Sequence, residues 1–377
     1  MHFVKAKGIL SAKNGMNLYR GCSHGCIYCD SRSDCYHMEH AFEDIEVKEN
    51  AIELLEDALT RKRKKCMIGT GSMTDPYIPL EMKLGNVRKA LELVYEYGFG
   101  FTVITKSNRI LRDLDLLQKI NEKTKCVVQM TLTTCDEDLC RKIEPNVSTT
   151  KERFEVLKTL RDCGIPTVVW LSPVLPFIND TEENISGILD MCAEAKAYGV
   201  ICFGMGLTLR EGNREYFYEQ LDRLFPGLKE QYIRTYGDQY MIESGNSQKL
   251  MRLFHRKCEK YGIVHDNDQI FRYLSAFEEK DDGGQLSIWD YTYPAPSADR
   301  IAGNDDGGDD VRQDTAAAHQ AEQRPDQAYH GGVDAEVFGD TAANAVEHFI
   351  LVGFIQLFFH SSRPHFCWYS GRLAMPP

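Results

Sequence analysis

"YRGCSHGCIYCDSRS", Tyr19 to Ser33, sets Cys22, Cys26 and Cys29 apart by three and then two residues, among glycines. Three thiols in so short a loop call for a metal, a disulfide or a cluster. A structural zinc site takes four protein ligands, often as two Cys-x-x-Cys pairs. Cys35 is near enough in sequence to supply the fourth. Three ligands without a fourth describe a centre with one open position, as in an iron–sulfur cubane. There, three thiolates hold three irons and the fourth iron is left for a small chelating molecule.

The sequence beyond this loop decides between these options. Apolar, β-branched runs recur at Cys66–Met73, Phe101–Ser107, Cys126–Thr134, Thr167–Pro176 and Val200–Leu209. A first strand is expected in "MNLYRG", Met16 to Gly21. Helix-period stretches lie between the runs, such as "NVRKALELVYEYG" and "TKERFEVLKTLRDCG". Gly98, Gly164 and Gly199 stand where helix C-caps are expected. Six strands, each followed by a helix, imply parallel βαβ units. The fold expected is α/β, a partial parallel (β/α)6 TIM-like barrel. Gly69 to Asp75, Lys106, Thr131, Thr133, Ser172 and Arg210 then fall at strand C-terminal ends, the rim where such barrels build their sites. The cysteine loop shares that rim. A zinc knuckle has no reason to sit there.

Composition bounds the rest. The chain has 377 residues, 43% hydrophobic and 27% charged, with net charge −12. Its acidity argues against whole-surface electrostatic binding of nucleic acid, though not against a local basic patch. Thirteen scattered cysteines, with no secretory leader at "MHFVKAKGILSAKNG", read as reduced thiols in the cytoplasm. No apolar run reaches the roughly 18 residues of a membrane span, so no membrane partner is expected. The chain is divided into a core barrel at 1–210, a short C-terminal helical extension at 211–290, and a low-complexity tail at 291–377. The tail lacks lysine and apolar periodicity, and ends in "FILVGFIQLFF" (Phe349–Phe359). It is expected to be disordered or non-native.

The Cys-x-x-x-Cys-x-x-Cys spacing, with Tyr28 before the last cysteine, resembles the radical S-adenosylmethionine (SAM) superfamily. "TDPYIPLE" (Thr74–Glu81), "TKS" (Thr105–Ser107), "IEPNVSTTKERFEVLKTLRDCGI" and "PVLPFIND" (Pro173–Asp180) extend the resemblance to the spore photoproduct lyase-like branch, often labelled DNA repair photolyases. The resemblance implies a [4Fe–4S] cluster on Cys22, Cys26 and Cys29, with SAM chelated to its open iron. It implies reductive cleavage of SAM to a 5′-deoxyadenosyl radical that abstracts hydrogen from an unknown substrate. A reductant such as flavodoxin or ferredoxin is implied as partner. By the same resemblance Tyr28 packs near the adenine. Ser72, Thr74 and Asp75 lie along the ribose and amino-acid portion, and Lys106 faces the carboxylate. Thr133 and Ser172 are weaker carry-overs. No catalytic residue is named.

The residue types agree with such a ligand: lysine is a point cation for a carboxylate, aspartate an acceptor. Plainer readings stand beside these. Asp75 before Pro76 is also a turn residue, Glu144 and Arg153 an ion pair, and Asn179–Asp180 a helix cap. His24 is read chiefly as a loop residue. One departure matters: the branch's namesake has a hydrogen-donating cysteine in a Cys-Thr-Ser-Asp pattern, where this chain has Ser72, Met73, Thr74 and Asp75. A serine O–H is too strong to serve. Two alternatives therefore stay open. One is DNA lesion repair or base modification, for which Arg234, Lys249, Arg252, Arg256, Lys257 and Lys260 among Tyr236, Tyr240 and Phe254 would have to form one face. The other is a zinc-stabilised, non-redox binding protein.

Overall fold

The structure, a computed structural model, describes residues 1–280. The tail expected at 291–377 lies outside the described residues. Six strands form one parallel sheet in sequence order: Gly15–Met16 (β1), Met67–Thr70 (β2), Gly100–Thr105 (β3), Cys126–Thr131 (β4), Thr167–Trp170 (β5) and Gly199–Ile201 (β6). Their register runs Met67↔Gly100, Phe101↔Cys126, Val128↔Thr167 and Val168↔Gly199. Every residue of β2 and β4 is buried. Strands covered on both faces read as continuous apolar runs, which is why the sequence shows them. The result is a partial (β/α)6 TIM-like barrel.

The crossover helices are Ala51–Arg61 (α1), Asn86–Glu96 (α2), Leu114–Lys123 (α3), Thr150–Asp162 (α4) and Glu182–Glu194 (α5). α4 starts in a capping box: the Thr149 hydroxyl accepts from Glu152 N–H, and the Glu152 carboxylate accepts from Thr149 N–H. α5 is capped by Thr181, whose hydroxyl accepts from Asn184 N–H, and not by Asn179–Asp180. Asn179 instead braces the rim, accepting from Leu175 N–H and donating to Thr133 C=O.

Three expectations are corrected. The first strand is split. Gly15–Met16 joins the main sheet, while Tyr19–Arg20 turns aside to pair antiparallel with Glu46–Lys48 in a second sheet that also holds His2–Val4. The run Val200–Leu209 is likewise two strands, Gly199–Ile201 and then Gly206–Thr208, the latter paired with Met241–Glu243. Finally, Gly98 and Gly164 have the positive φ expected of C-caps, but after α5 it is Lys196 that takes φ 52°. Gly199 belongs to β6, where a Cβ would stand 2.9 Å from Val264 O.

Beyond the barrel come Asn213–Leu224 (α6), Leu228–Tyr236 (α7), Ser247–Tyr261 (α8) and Asn267–Ser275 (α9). α6 and α7 close over the cysteine loop. Cys26, Ile27 and Tyr28 share a buried apolar cluster with Phe217, Leu221, Tyr232 and Tyr236. No described helix is long and apolar enough to cross a membrane.

Candidate active site

The cysteine loop leaves Arg20 and turns at Gly21 and Gly25, whose φ values are 84° and 71°. Cys22 N–H donates to Phe42 C=O at 2.9 Å. Ile27 N–H donates to Ile143 C=O at 3.0 Å, tying the loop to the far side of the rim. Cys22 and Cys26 are buried and Cys29 half-buried. Burial pushes the Cys22 thiol up to about 12, and the Asp75 and Cys29 charges add to it. Burial also lifts Cys26 and Cys29, while Lys106 pulls both down. Each thiol therefore keeps its proton in the metal-free chain and gives it up to a bound metal. Every described cysteine is free, which removes the disulfide reading there.

The three sulfurs of the loop do not all lie within 4.8 Å of one another. A zinc with Zn–S of about 2.3 Å holds its sulfurs about 3.8 Å apart. Among the described residues, the only group of three or more His, Cys, Asp or Glu whose ligand atoms lie within 4.8 Å of one another is His2, His40 and Asp44. Cys35 is exposed on the short turn Asp34–Tyr36, and its sulfur accepts from Arg210 at 3.3 Å. Arg210 also lies 3.4 Å from Asp30 and donates to Tyr240 Oη at 2.7 Å.

Around the loop the other candidates divide into two kinds. The Ser72, Thr74 and Thr133 hydroxyls are buried with no hydrogen-bond partner. Orphaned buried hydroxyls are costly unless something fills the site, and their position past β2 and β4 fits a polar ligand there. Lys106, just past β3, has its Nζ 6.0 Å from the Tyr28 ring centroid. Burial lowers its affinity for the proton, but Cys26, Glu144 and Asp75 outweigh that and hold it above the ordinary lysine value. Ser172 is half-buried two residues past β5.

Asp75 is already engaged. Thr105 Oγ1 donates to it at 2.8 Å, Lys106 N–H at 2.7 Å and Tyr77 N–H at 2.8 Å. The last of these is an Asx turn, so the turn reading accounts for Asp75. His24, 2% exposed, sits 3.4 Å from the same carboxylate and is more than a loop residue. Gly71, with φ 100°, lets the β2 loop approach β3 closely: a Cβ there would meet Ile104 O at 2.1 Å.

Tyr28 donates through its hydroxyl to Glu144, which is ion-paired with Arg153. Arg153 also donates to Thr131 C=O at 2.7 Å and to Cys140 Sγ at 3.0 Å. Burial alone would raise the Glu144 pKa, yet the Arg153 and Lys106 cations hold it below the ordinary glutamate value. The ion pair agrees with the sequence reading, whereas its link to Tyr28 leaves no mark in the sequence. In the basic stretch from Arg234 to Lys260, two lysines are already paired with carboxylates and one aromatic is in the core. Lys257 pairs with Asp190 at 2.6 Å, Lys249 with Glu182, and Phe254 is 1% exposed.

Residues 16–192 match the family model described as the Radical SAM superfamily. The matched region, the barrel, is a radical SAM domain. Members use a [4Fe–4S] cluster and SAM, and both are this chain's cofactors; the thiol loop, Lys106 and the orphaned hydroxyls fit them. An uncharacterized protein of Mycobacterium tuberculosis is 30% identical over 227 residues, covering 59% of this chain and 66% of that protein. One from Methanocaldococcus jannaschii is 32% identical over 179 residues, covering 47% of this chain and 66% of its own length. The chain thus spans just under two thirds of these relatives. A solved cysteine-to-serine mutant of spore photoproduct lyase has a similar fold, with TM-score 0.51, 14% identity, and coverage of 70% of this chain and 78% of that one.

Proposed function

We propose that this chain is a radical SAM enzyme in which Cys22, Cys26 and Cys29 hold the [4Fe–4S] cluster and the open iron takes SAM. The observation that carries the reading is the meeting of two buried thiols and one half-buried thiol with the Lys106 cation and three orphaned hydroxyls on one barrel rim. The bound group supplies reductive cleavage of SAM and a 5′-deoxyadenosyl radical for hydrogen abstraction. The chain supplies the rest. Lys106 neutralises the carboxylate of SAM. Ser72 and Thr74 bond its polar edge, with Thr133 and Ser172 on the opposite strands. Tyr28, fixed by Glu144, walls the base. Asp75 keeps the β2 and β3 ends together. α6 and α7, above Cys26 to Tyr28, exclude water.

In this proposal the radical chemistry is assigned to residues 1–210 and its cover to the extension from 211. Radical SAM enzymes need an external reductant, and flavodoxin or ferredoxin in the cytoplasm fills that role here. A lyase-like outcome rests on the sequence resemblance alone. Protein purified without oxygen is expected to be brown, with iron and sulfide in equal amounts. Colourless protein carrying zinc on the cysteine loop would overturn the proposal.

Lys106→Met is expected to weaken SAM binding by about 10- to 100-fold, the loss of one charge-assisted hydrogen bond. Equilibrium dialysis of the cluster-loaded protein measures this. Iron content is expected to stay at the wild-type level, since the lysine is no ligand.

A further inference from the structure

Away from the cysteine loop, the second sheet gathers a different set of donors. His2 opens the strand His2–Val4, held parallel to Glu46–Lys48 by the register His2↔Glu46 and by His2 N–H donating to Ile45 C=O at 3.0 Å. That register sets the His2 ring beside Asp44, with Nδ1 3.0 Å from Oδ2. His40 completes the group, its ring edge-on to His2 with centroids 4.7 Å apart. One ligand atom from each residue lies within 4.8 Å of the other two.

The hydrogen bonds prepare these atoms for a metal. His40 Nδ1 faces Ala41 C=O at 3.0 Å, so the proton belongs on Nδ1 and the lone pair on Nε2. A backbone carbonyl on the far nitrogen is the usual orienting contact of a ligating histidine. His40 Nε2 is itself buried with no hydrogen-bond partner. Glu46 Oε2 is 3.6 Å from it, beyond hydrogen-bond reach. The Met1 ammonium takes the other Asp44 oxygen, Oδ1, at 2.6 Å and leaves Oδ2 to His2. Neighbouring ligands about 2.1 Å from one ion are about 3.0–3.4 Å apart, so a metal can replace the proton between Nδ1 and Oδ2.

We propose that His2, His40 and Asp44 form a site for a divalent transition-metal ion, zinc by donor type, separate from the cysteine loop. Two imidazoles and a carboxylate are a common zinc set, and three protein ligands leave a fourth position for water. The ion ties the strand His2–Val4 to the loop carrying Phe42, whose carbonyl receives Cys22 N–H. It thereby braces the cysteine loop from behind.

The test uses the full-length, cluster-loaded protein given zinc chloride and then desalted. Wild type is expected to retain about one zinc per chain beside its iron. His2→Gln and His40→Gln are each expected to retain at least about tenfold less, with iron unchanged. Cys35→Ala is expected to retain zinc as wild type does. Thermal unfolding guards against misfolded variants: zinc is expected to raise the midpoint of wild type and leave that of His40→Gln unmoved. Wild type retaining no zinc, or the His2→Gln/His40→Gln double variant retaining it fully, would overturn the site and leave only ion pairs around Asp44.

Discussion

Replacing any one of Cys22, Cys26 and Cys29 by alanine is expected to strip most of the iron and all SAM cleavage, while Cys35→Ala keeps both. A cubane held by three thiolates has no spare ligand, so one loss leaves a labile edge. Cys35 differs in kind. It is exposed and turned toward Arg210, whereas the triad thiols are buried or half-buried, Cys26 and Cys29 within the field of Lys106. A fourth thiolate would also close the iron that SAM needs. Iron and sulfide assays on the four variants, with 5′-deoxyadenosine measured beside them, check this. Loss of metal in Cys35→Ala equal to that in Cys29→Ala would make the site four-coordinate by protein.

Arg153→Met is expected to destabilise the fold by about 3–5 kcal/mol, because it strands a buried carboxylate without its cation. Both side chains of the Arg153–Glu144 pair are 0% exposed. The loss also frees Thr131 C=O and releases the group that holds Tyr28. Urea unfolding of wild type and variant measures the difference. Pairing the change with Glu144→Gln is expected to recover part of it, since the stranded charge goes too. A cost below about 1 kcal/mol would mean that the pair is not desolvated as described.

The parts of this architecture that are legible in the sequence are those that physics repeats locally. Strands buried on both faces write themselves as apolar runs, and α4 announces its start as Thr149 followed by Glu152. The triad is legible because three cysteines on one short loop have few uses. The break in the first strand is not legible. Tyr19 and Arg20 follow Met16 and Leu18 with no glycine or proline between, yet they pair with Val47 and Glu46 and not with the main sheet. The Tyr28–Glu144 bond joins residues 116 positions apart, and the His2–Asp44 bond spans 42, so neither leaves a local signal. The same holds for the rim hydroxyls: Ser72 and Thr133 look like any strand-end residues until the fold shows them buried without partners. Asp75 stands out in the sequence for a ligand, whereas the fold engages it with Thr105, Lys106 and Tyr77.

The most direct test of the central claim is the fate of SAM on the reduced protein. Cluster-loaded chain, reduced with dithionite without oxygen and given SAM, is followed by mass spectrometry with no substrate added. Slow release of 5′-deoxyadenosine and methionine in equal amounts is the expected result, dependent on dithionite and absent in Cys29→Ala. Intact SAM after prolonged reduction, in protein that carries its full iron and sulfide, would contradict the account.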